Sequence, residues 1–483
     1  MANACVTRFS AQADGTMTRN CAAFACQLWK PGSWAILGVV WALLDSSNLN
    51  AATAFPIRVS NNHRFLIDSR LRPFLYHADT PWGLFVCLTK AETQNYLGTR
   101  QRQGVRVVQV QLLAEHGPLP LTNRLGASPF LVTNDLGTPN PAYFDHVDWV
   151  IREAAQRGIL VALNPIWLGC CEGGWRDTLT SNGIEKCRNF GTFLGERFKE
   201  HQNVFWIQGG DHDPGEWTGH IRAIATELKR IAPHQLQTFH ASSTHSARDV
   251  FPSESWLDLN STYTYSAEHS GAWCRQFHVY RNSKIDCQRS PTQPFFLVES
   301  TYEGEHNASA QKVRRQAWWS VLSGSCGQAF GIASIYPFRA GWTNALESRT
   351  SRDMIQLQRI LTARRWWELV PDFSHQVISR GYGTFNTTDH PGGDDYVTAS
   401  ATPDGTLLIA YVPSEQTLEV QLGFFQRVPR LLWIDPTSGS RKSIPLSSTE
   451  TQGSHLLKTP GLNGNGEPDW ILVGETSSMR MHP

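Results

Sequence analysis

The sequence predicts a (β/α)8 barrel followed by a small C-terminal β-sandwich. From about Arg72 to Leu369, eight short β-rich runs alternate with helical stretches. Most of these runs are continuously apolar, as expected for strands that are covered on both faces. After Trp366-Trp367 the pattern changes to short β-runs separated by Pro-Asp-Gly and Asp-Pro-Thr-Ser-Gly turns. Eight strands with helices between them match the barrel in number and length.

The β-rich runs and the helical patterns between them, such as residues 143–157, 190–201 and 216–231, set the order of the predicted barrel. A doubly wound open sheet is the main alternative. It would favour a Gly-rich turn after the first strand, where this sequence has Asp79-Thr80-Pro81-Trp82. The predicted strands are residues 73–78, 105–112, 159–166, 204–207, 236–240, 257–263, 294–298 and 328–333.

Three segments are predicted along the chain: an N-terminal extension (residues 1–54), the barrel (55–372) and the β-sandwich (373–483). Residues 34–44 (WAILGVVWALL) are apolar and uncharged and precede small residues at Ala52 and Ala54. The run is too short to cross a bilayer, which needs ~20 helical residues. It is therefore interpreted as a signal peptide, with a buried helix as the alternative. We expect a secreted protein, extracellular or, in a bacterium, periplasmic.

The charge balance argues against partners that are bound mainly by electrostatic attraction. The chain has 43 Lys plus Arg and 42 Asp plus Glu, for a net charge of +1. Neither nucleic acid nor an anionic membrane is therefore expected as a partner. The 18 Trp suit both core packing and stacking against the apolar faces of sugars. We expect a carbohydrate partner and no cofactor.

The candidate catalytic residues lie at strand ends, because (β/α)8 enzymes assemble their active sites at the C-terminal ends of the strands. Asp211 follows the fourth strand and Glu299 the seventh, and these strands face each other across the barrel mouth. Glycoside hydrolysis needs two carboxyl groups, one to deliver a proton and one to act as nucleophile or base. Gly209-Gly210 would permit a sharp turn and leave room for substrate beside Asp211. The alternative is that either acid is a salt-bridge partner or a helix cap.

Four sequence motifs resemble the apiosidase-like glycoside hydrolases, glycoside hydrolase family 140. They are FLIDSRLRPFLYHADTPWGLF, NVFWIQGGDHD, LDLNSTYTY and PFFLVESTYEG, and the resemblance continues into a collagen-binding-like β-domain through YVTASATPDGTLLIAYVP and LLWIDPTSG. The resemblance implies a (β/α)8 barrel and a retaining mechanism, with Asp211 as acid/base and Glu299 as nucleophile. It implies a polysaccharide or oligosaccharide substrate, for which apiose-containing pectic side chains are one candidate. Local additions at residues 170–171 and 274–287 leave the sugar open.

Further residues near the strand ends are candidates for substrate binding. Asp79 belongs to the Asp-Thr-x-Trp motif and is predicted to accept a sugar hydroxyl, with Trp82 as a stacking platform. An Asp that caps the first helix is the alternative for Asp79. His212 and Asp213 are candidates to orient Asp211 or to shift its pKa. The remaining candidates, for subsite walls, are His116, Trp167, Tyr263, Tyr265 and Trp342.

Two other classes of function remain open from the sequence. A metal-dependent hydrolase is possible because Asp211, His212, Asp213 and Glu299 are of metal-ligand type, although no His-x-His or His-Glu-x-x-His motif accompanies them. A non-catalytic carbohydrate- or matrix-binding protein is the second alternative, because the C-terminal domain resembles a binding module. A serine hydrolase is disfavoured, since no Gly-x-Ser-x-Gly motif occurs.

Overall fold

A computed structural model describes residues 53–114, 119–169, 173–265, 279–387, 392–446 and 453–476. The predicted signal peptide and His116 lie outside these residues. The chain from Ala52 to Pro483 forms one compact unit. Within the described ranges, every helix is too short or too polar to cross a bilayer.

Eight short strands form a parallel sheet that curves into a barrel. They are β1 (Tyr76–Asp79), β2 (Val107–Gln111), β3 (Leu160–Asn164), β4 (Val204–Gly209), β5 (Gln237–His240), β6 (Asn260–Tyr263), β7 (Phe295–Glu299) and β8 (Gly327–Phe330). Their order in the sheet is β5-β4-β3-β2-β1-β8-β7-β6. Between β5 and β6 the Leu259 N–H donates to the Gln237 carbonyl oxygen at 3.2 Å. The predicted (β/α)8 barrel is confirmed.

Helices follow the barrel strands. The helix α3 (Pro141–Gln156) begins directly after Asn140, whose side chain accepts a hydrogen bond from the Ala142 N–H. α4 starts well before the predicted helical stretch at residues 190–201, and Gly183 (φ 67°) interrupts it. In the described ranges the helices are α1 (Leu84–Cys87), α2 (Lys90–Arg102), α3 (Pro141–Gln156), α4 (Arg176–Phe198), α5 (Thr218–Ile231), α6 (Ala247–Val250), α7 (Val279–Cys287), α8 (Ala310–Leu322), α9 (Trp342–Ala345) and α10 (Arg349–Thr362).

The interior of the barrel is filled with side chains. The Tyr76 ring lies 4.0 Å from the Phe296 ring and 6.0 Å from the Phe205 ring, measured between centroids. An antiparallel sheet formed by Arg58–Val59, Leu66–Ile67 and Pro73–Phe74 precedes β1. Leu66 and Phe74 from this sheet join the same apolar cluster as Tyr76. The barrel is therefore a packed core rather than a pore, as in other folds of this class.

Two antiparallel sheets follow the barrel and confirm the predicted β-sandwich. Their strands are β9 (Val370–Pro371), β10 (Ile378–Arg380), β11 (Thr398–Ala401), β12 (Leu407–Val412), β13 (Thr417–Gln421), β14 (Arg430–Ile434), β15 (Arg441–Ile444), β16 (Ser454–Lys458) and β17 (Trp470–Glu475). The six-stranded sheet has the order β9-β11-β12-β17-β14-β15, and the smaller sheet the order β10-β13-β16. Since β9 already belongs to the larger sheet, the sandwich begins close to the end of α10.

Helix α8 joins the barrel to the sandwich. Its Arg314 is fully buried and binds both oxygens of Asp469, at 2.9 and 2.7 Å, while also contacting Asp353 of α10. The Trp319 Nε1–H donates to the Tyr396 carbonyl oxygen at 2.8 Å. Apolar residues of the larger sheet belong to the same core cluster as the barrel helices. The two domains therefore share one core.

Candidate active site

The turn after β4 places Asp211 at the mouth of the barrel. Three successive residues have positive φ angles: Gly209 (73°), Gly210 (135°) and Asp211 (55°). A positive φ is uncommon for a residue with a side chain and often marks a functional site. A Cβ atom on Gly210 would lie 2.3 Å from the Trp167 ring, and one on Gly209 2.3 Å from Phe239. The prediction that the two glycines leave room for substrate was therefore wrong, because aromatic rings fill that space.

The carboxyl group of Asp211 is held on one side only. The Tyr263 hydroxyl donates to its Oδ1 atom, and Oδ2 has no hydrogen-bond partner within the described ranges. Burial, followed by the negative charge of Glu299, raises the pKa of Asp211 to about 6. Oδ2 is therefore available to carry a proton that can be given up near neutral pH.

The carboxylate of Glu299 is held on both sides. Glu299 ends β7 and is 5% exposed. The Tyr302 hydroxyl donates to Oε1, and the His240 Nε2–H donates to Oε2 at 2.9 Å. Tyr302 is itself positioned by the Trp82 Nε1–H, which donates to its hydroxyl oxygen at 2.7 Å. These contacts fix the orientation of the carboxylate toward the cleft.

His240, the last residue of β5, connects the two acids. Its Nδ1 atom lies 3.2 Å from both the Asp211 backbone nitrogen and the Ala241 carbonyl oxygen, and its Nε2 atom lies 2.9 Å from the Glu299 carboxylate, to which it donates. Burial alone would lower the pKa of His240, but the hydrogen bond and charge of Glu299 and the charge of Asp211 raise it overall. Oxygen atoms of Asp211 and Glu299 and a ring nitrogen of His240 all lie within 4.8 Å of one another. The two predicted catalytic acids are therefore close together.

The predicted aromatic contacts lie around this pair, but two of them are almost completely buried. Trp82 is 4% exposed and Trp167 2%, and their rings lie 4.9 Å apart. The Trp167 ring is also 5.1 Å from the His240 ring. Both tryptophans therefore pack beside the catalytic residues, and with 4% of Trp82 exposed its ring offers little surface on which a sugar could stack. The Tyr263 hydroxyl contacts Asp211 and Tyr265 is partly exposed beside it, and their role as subsite walls stays a prediction.

Asp79 was predicted to bind a sugar hydroxyl, and the structure corrects this. Its carboxylate is fully buried and accepts hydrogen bonds from the Tyr96 hydroxyl and the Arg100 Nε–H, both at 2.6 Å, and from the Thr80 N–H. Those partners occupy both oxygens. Asp79 is not a helix cap either, since the N-cap of α1 is Gly83, with no side-chain cap, and α2 is capped by Thr89. Its role is to attach β1 to α2.

Trp342 and His212 make contacts other than those predicted. Trp342 is 7% exposed and packs against Tyr96 and Phe338, so it belongs to the core. The His212 Nδ1 atom lies 2.5 Å from the Asp213 carbonyl oxygen, and its ring packs against Trp217.

Asp213 likewise faces away from the Asp211 carboxyl group. Its carboxylate binds the Ser242 N–H at 3.0 Å and the His245 Nδ1 atom at 2.7 Å. Tyr263 and His240 orient Asp211 instead.

Three residues of the site were not predicted from the sequence: His240, Tyr302 and Glu305. His240 could have been found, because it ends β5 and the strand-end rule applies to every barrel strand. Tyr302 and Glu305 lie three and six residues after Glu299, in the loop that follows β7. Only the path of that loop brings them back to the cleft.

Comparison with known proteins assigns the chain to a family. The sequence profile of the apiosidase-like catalytic domain matches residues 60–368. The chain belongs to the apiosidase-like family. Membership of this family makes the protein a glycoside hydrolase. No protein of curated function matches the sequence significantly.

Solved structures show that this apiosidase-like protein shares its whole architecture with other chains. One, described as a glycoside hydrolase, is 24% identical with a TM-score of 0.74, over 89% of this chain and 97% of the other. Another, a glycoside hydrolase family 5 structure from Bacteroides vulgatus, is 23% identical with a TM-score of 0.76, over 89% and 96%. At such identities the likeness establishes the fold, with both barrel and sandwich included in the matched length.

Proposed function

We propose that the protein hydrolyses O-glycosidic bonds of a polysaccharide or oligosaccharide by a retaining mechanism, with Asp211 as acid/base and Glu299 as nucleophile. The supporting observation is the short distance between their carboxyl oxygens, which lie within 4.8 Å of each other. Retaining glycosidases hold these groups about 5–5.5 Å apart, whereas inverting enzymes need about 6.5–9.5 Å to admit a water molecule. A pair of carboxyl oxygens this close favours the retaining arrangement.

In the first step of the proposed reaction, a Glu299 oxygen attacks the anomeric carbon while Asp211 Oδ2 gives its proton to the departing glycosidic oxygen. The bond to the leaving group breaks and an ester bond between Glu299 and the sugar forms. In the second step Asp211, now ionised, takes a proton from water, which attacks the same carbon and releases Glu299. A pKa of about 6 suits a group that must be both acid and base near neutral pH.

A metal-dependent hydrolase is the second candidate, because Asp211, His240 and Glu299 offer ligand atoms close enough to share one ion. Against it stands the direct hydrogen bond between His240 Nε2 and Glu299 Oε2, at 2.9 Å. A metal ion bound by both groups would have to replace that proton. A chelator should abolish the activity of a metal-dependent hydrolase and leave the activity of the proposed retaining glycosidase unchanged.

The test compares the wild-type protein with Asp211→Asn and Glu299→Gln on 4-nitrophenyl glycosides and on polysaccharides. Glu299→Gln should abolish turnover of every substrate, because no covalent intermediate can form. Asp211→Asn should still release nitrophenol from activated substrates, stall at the second step, and recover turnover when azide is added. A Glu196→Gln variant, exposed on α4, controls for the substitution itself. Loss of activity with a chelator, together with an active Glu299→Gln variant, would establish the metal mechanism instead.

We further propose that the protein is secreted and that its substrate is a carbohydrate, with apiose-containing pectic side chains as one candidate from the family. The apolar run at residues 34–44 supports export, and N-terminal sequencing of the mature protein would test cleavage near Ala52 or Ala54. Binding of polysaccharide without turnover by the wild-type protein would favour the non-catalytic alternative.

A further inference from the structure

Each catalytic carboxyl group is bound by one tyrosine, and the site contains a third pair of the same kind. Tyr263 donates its hydroxyl to Asp211, and Tyr302 donates to Glu299. The hydroxyl of Tyr265 donates in the same way to Oε2 of a third acid, in the loop after β7. No catalytic step proposed above uses this third acid, which is Glu305.

The third pair lies beside the other two. The Tyr265 ring centroid is 6.4 Å from that of Tyr263 and 5.8 Å from that of Tyr302. Tyr265 therefore touches both tyrosines that hold the catalytic carboxyl groups. Because Glu305 is bound to the Tyr265 hydroxyl, its carboxylate is placed at the same cleft.

Glu305 has a carboxylate oxygen available to a ligand. The residue is partly exposed, and within the described ranges its Oε1 atom has no hydrogen-bond partner. The loop that carries it includes two residues other than glycine with positive φ angles, His306 (47°) and Asn307 (59°). Such backbone conformations cost energy and persist where the surrounding structure fixes them, often at binding sites.

Charged groups of both signs lie near Glu305: the acid Glu299, and the basic residues His306 and Arg339. Burial and the charge of Glu299 raise the pKa of Glu305, while its hydrogen bond to Tyr265 and the charges of His306 and Arg339 lower it. The charge of Glu305 in turn contributes to the raised pKa of Asp211. A carboxylate brought into this cleft would meet the negative charges of Glu299 and Glu305 beside the protonated Asp211.

We infer that Glu305 is a specificity-determining residue: its free oxygen accepts hydrogen bonds from hydroxyl groups of the sugar held between Asp211 and Glu299, and its charge excludes a sugar that carries a carboxylate there. The inference rests on the proposed glycosidase function. It assigns a neutral sugar to the subsite beside the nucleophile.

The test compares kcat and KM of the Glu305→Gln and Glu305→Asp variants with those of the wild-type protein and the Glu196→Gln control. The probes are 4-nitrophenyl glycosides of neutral pentoses and hexoses, including the apioside, and 4-nitrophenyl glucuronide and galacturonide. We expect Glu305→Gln to lower kcat/KM on the preferred neutral probe about 10- to 100-fold, mainly through KM, as for loss of a hydrogen bond to a charged group. The ratio of kcat/KM on neutral probes to kcat/KM on acidic probes should decrease.

The pH dependence of kcat/KM distinguishes this role of Glu305 from a purely structural one. Removing the charge of Glu305 lowers the pKa of Asp211, so the basic limb of kcat/KM should move to lower pH in Glu305→Gln. Glu305→Asp keeps the charge and should keep that limb while still raising KM, and it serves if Glu305→Gln does not fold.

Unchanged KM, basic limb and probe preference in both Glu305 variants, with Glu299→Gln inactive, would overturn this inference and leave the proposed function intact. Failure of the wild-type protein to cleave any probe would overturn the function, and the inference with it.

Discussion

Replacing Tyr263 with Phe isolates one hydrogen bond at the proposed acid/base. The substitution removes the hydroxyl that donates to Asp211 Oδ1 and retains the ring, which packs 4.4 Å from the His240 ring. A hydrogen bond to a charged group contributes about 1.5–3 kcal/mol. Because this hydroxyl stabilises the ionised form, its loss disfavours ionisation and raises the pKa of Asp211.

The expected rise in the pKa of Asp211 is calculated from the free energy of this hydrogen bond. One pKa unit corresponds to about 1.36 kcal/mol, so the loss of 1.5–3 kcal/mol is equivalent to about 1–2 units. The wild-type pKa of about 6 should therefore rise to about 7–8 in Tyr263→Phe. Proton donation requires protonated Asp211, so the basic limb of kcat/KM should move to higher pH by the same amount.

The assay is the pH profile of kcat/KM on a glycoside with a poor leaving group, such as a phenyl glycoside, for which proton donation matters most. Unfolding curves at each pH separate a stability change from a catalytic one. A basic limb that stays near pH 6 in Tyr263→Phe, or that moves to lower pH, would refute the assignment of Tyr263 as the residue that stabilises ionised Asp211. The opposite shift expected for Glu305→Gln makes the two variants a matched pair.

Two further predictions concern stability. Gly210→Ala should lower the free energy of unfolding by more than about 1 kcal/mol, since φ is 135° and the added Cβ would meet the Trp167 ring at 2.3 Å. Denaturant unfolding measures this change. An unchanged unfolding midpoint would show that the turn accommodates the methyl group without strain. Arg314→Met should lower the free energy of unfolding by about 3–5 kcal/mol, because it leaves buried Asp353 and Asp469 without their cation. Arg349→Met removes an exposed ion pair and should lower it by no more than about 1 kcal/mol. Equal effects of the two arginine variants would contradict the importance of the buried network.

The fold was predictable because buried parallel strands leave a strong signal in the sequence. The runs that became β2 and β7 are mostly apolar and fully buried, and polar residues stand at their C-terminal ends. The start of α4 was missed because its first half contains few apolar residues and is broken at Gly183. Helix periodicity is weak in such a segment.

The site was predictable in part, because position at a strand end does not fix the direction of a side chain. Asp211 and Glu299 point into the cleft, but Asp79, also at a strand end, points outward to Arg100 of α2. Successive side chains of a strand point to opposite faces, so a shift of one residue separates a ligand-binding position from a structural one. Contacts such as that between Tyr302 and Glu299 depend on loop paths that no local pattern encodes.

Helix α8 has a consequence for how such proteins can be recombined. One side of this helix packs in the barrel core and the other contacts the sandwich through Arg314 and Trp319. A chimera that exchanges only the C-terminal domain would leave the guanidinium group of Arg314 without its Asp469 carboxylate. Functional exchange between relatives should therefore require α8 to be inherited together with the sandwich, so the unit of recombination begins after the loop that carries Glu305 and not at the domain boundary.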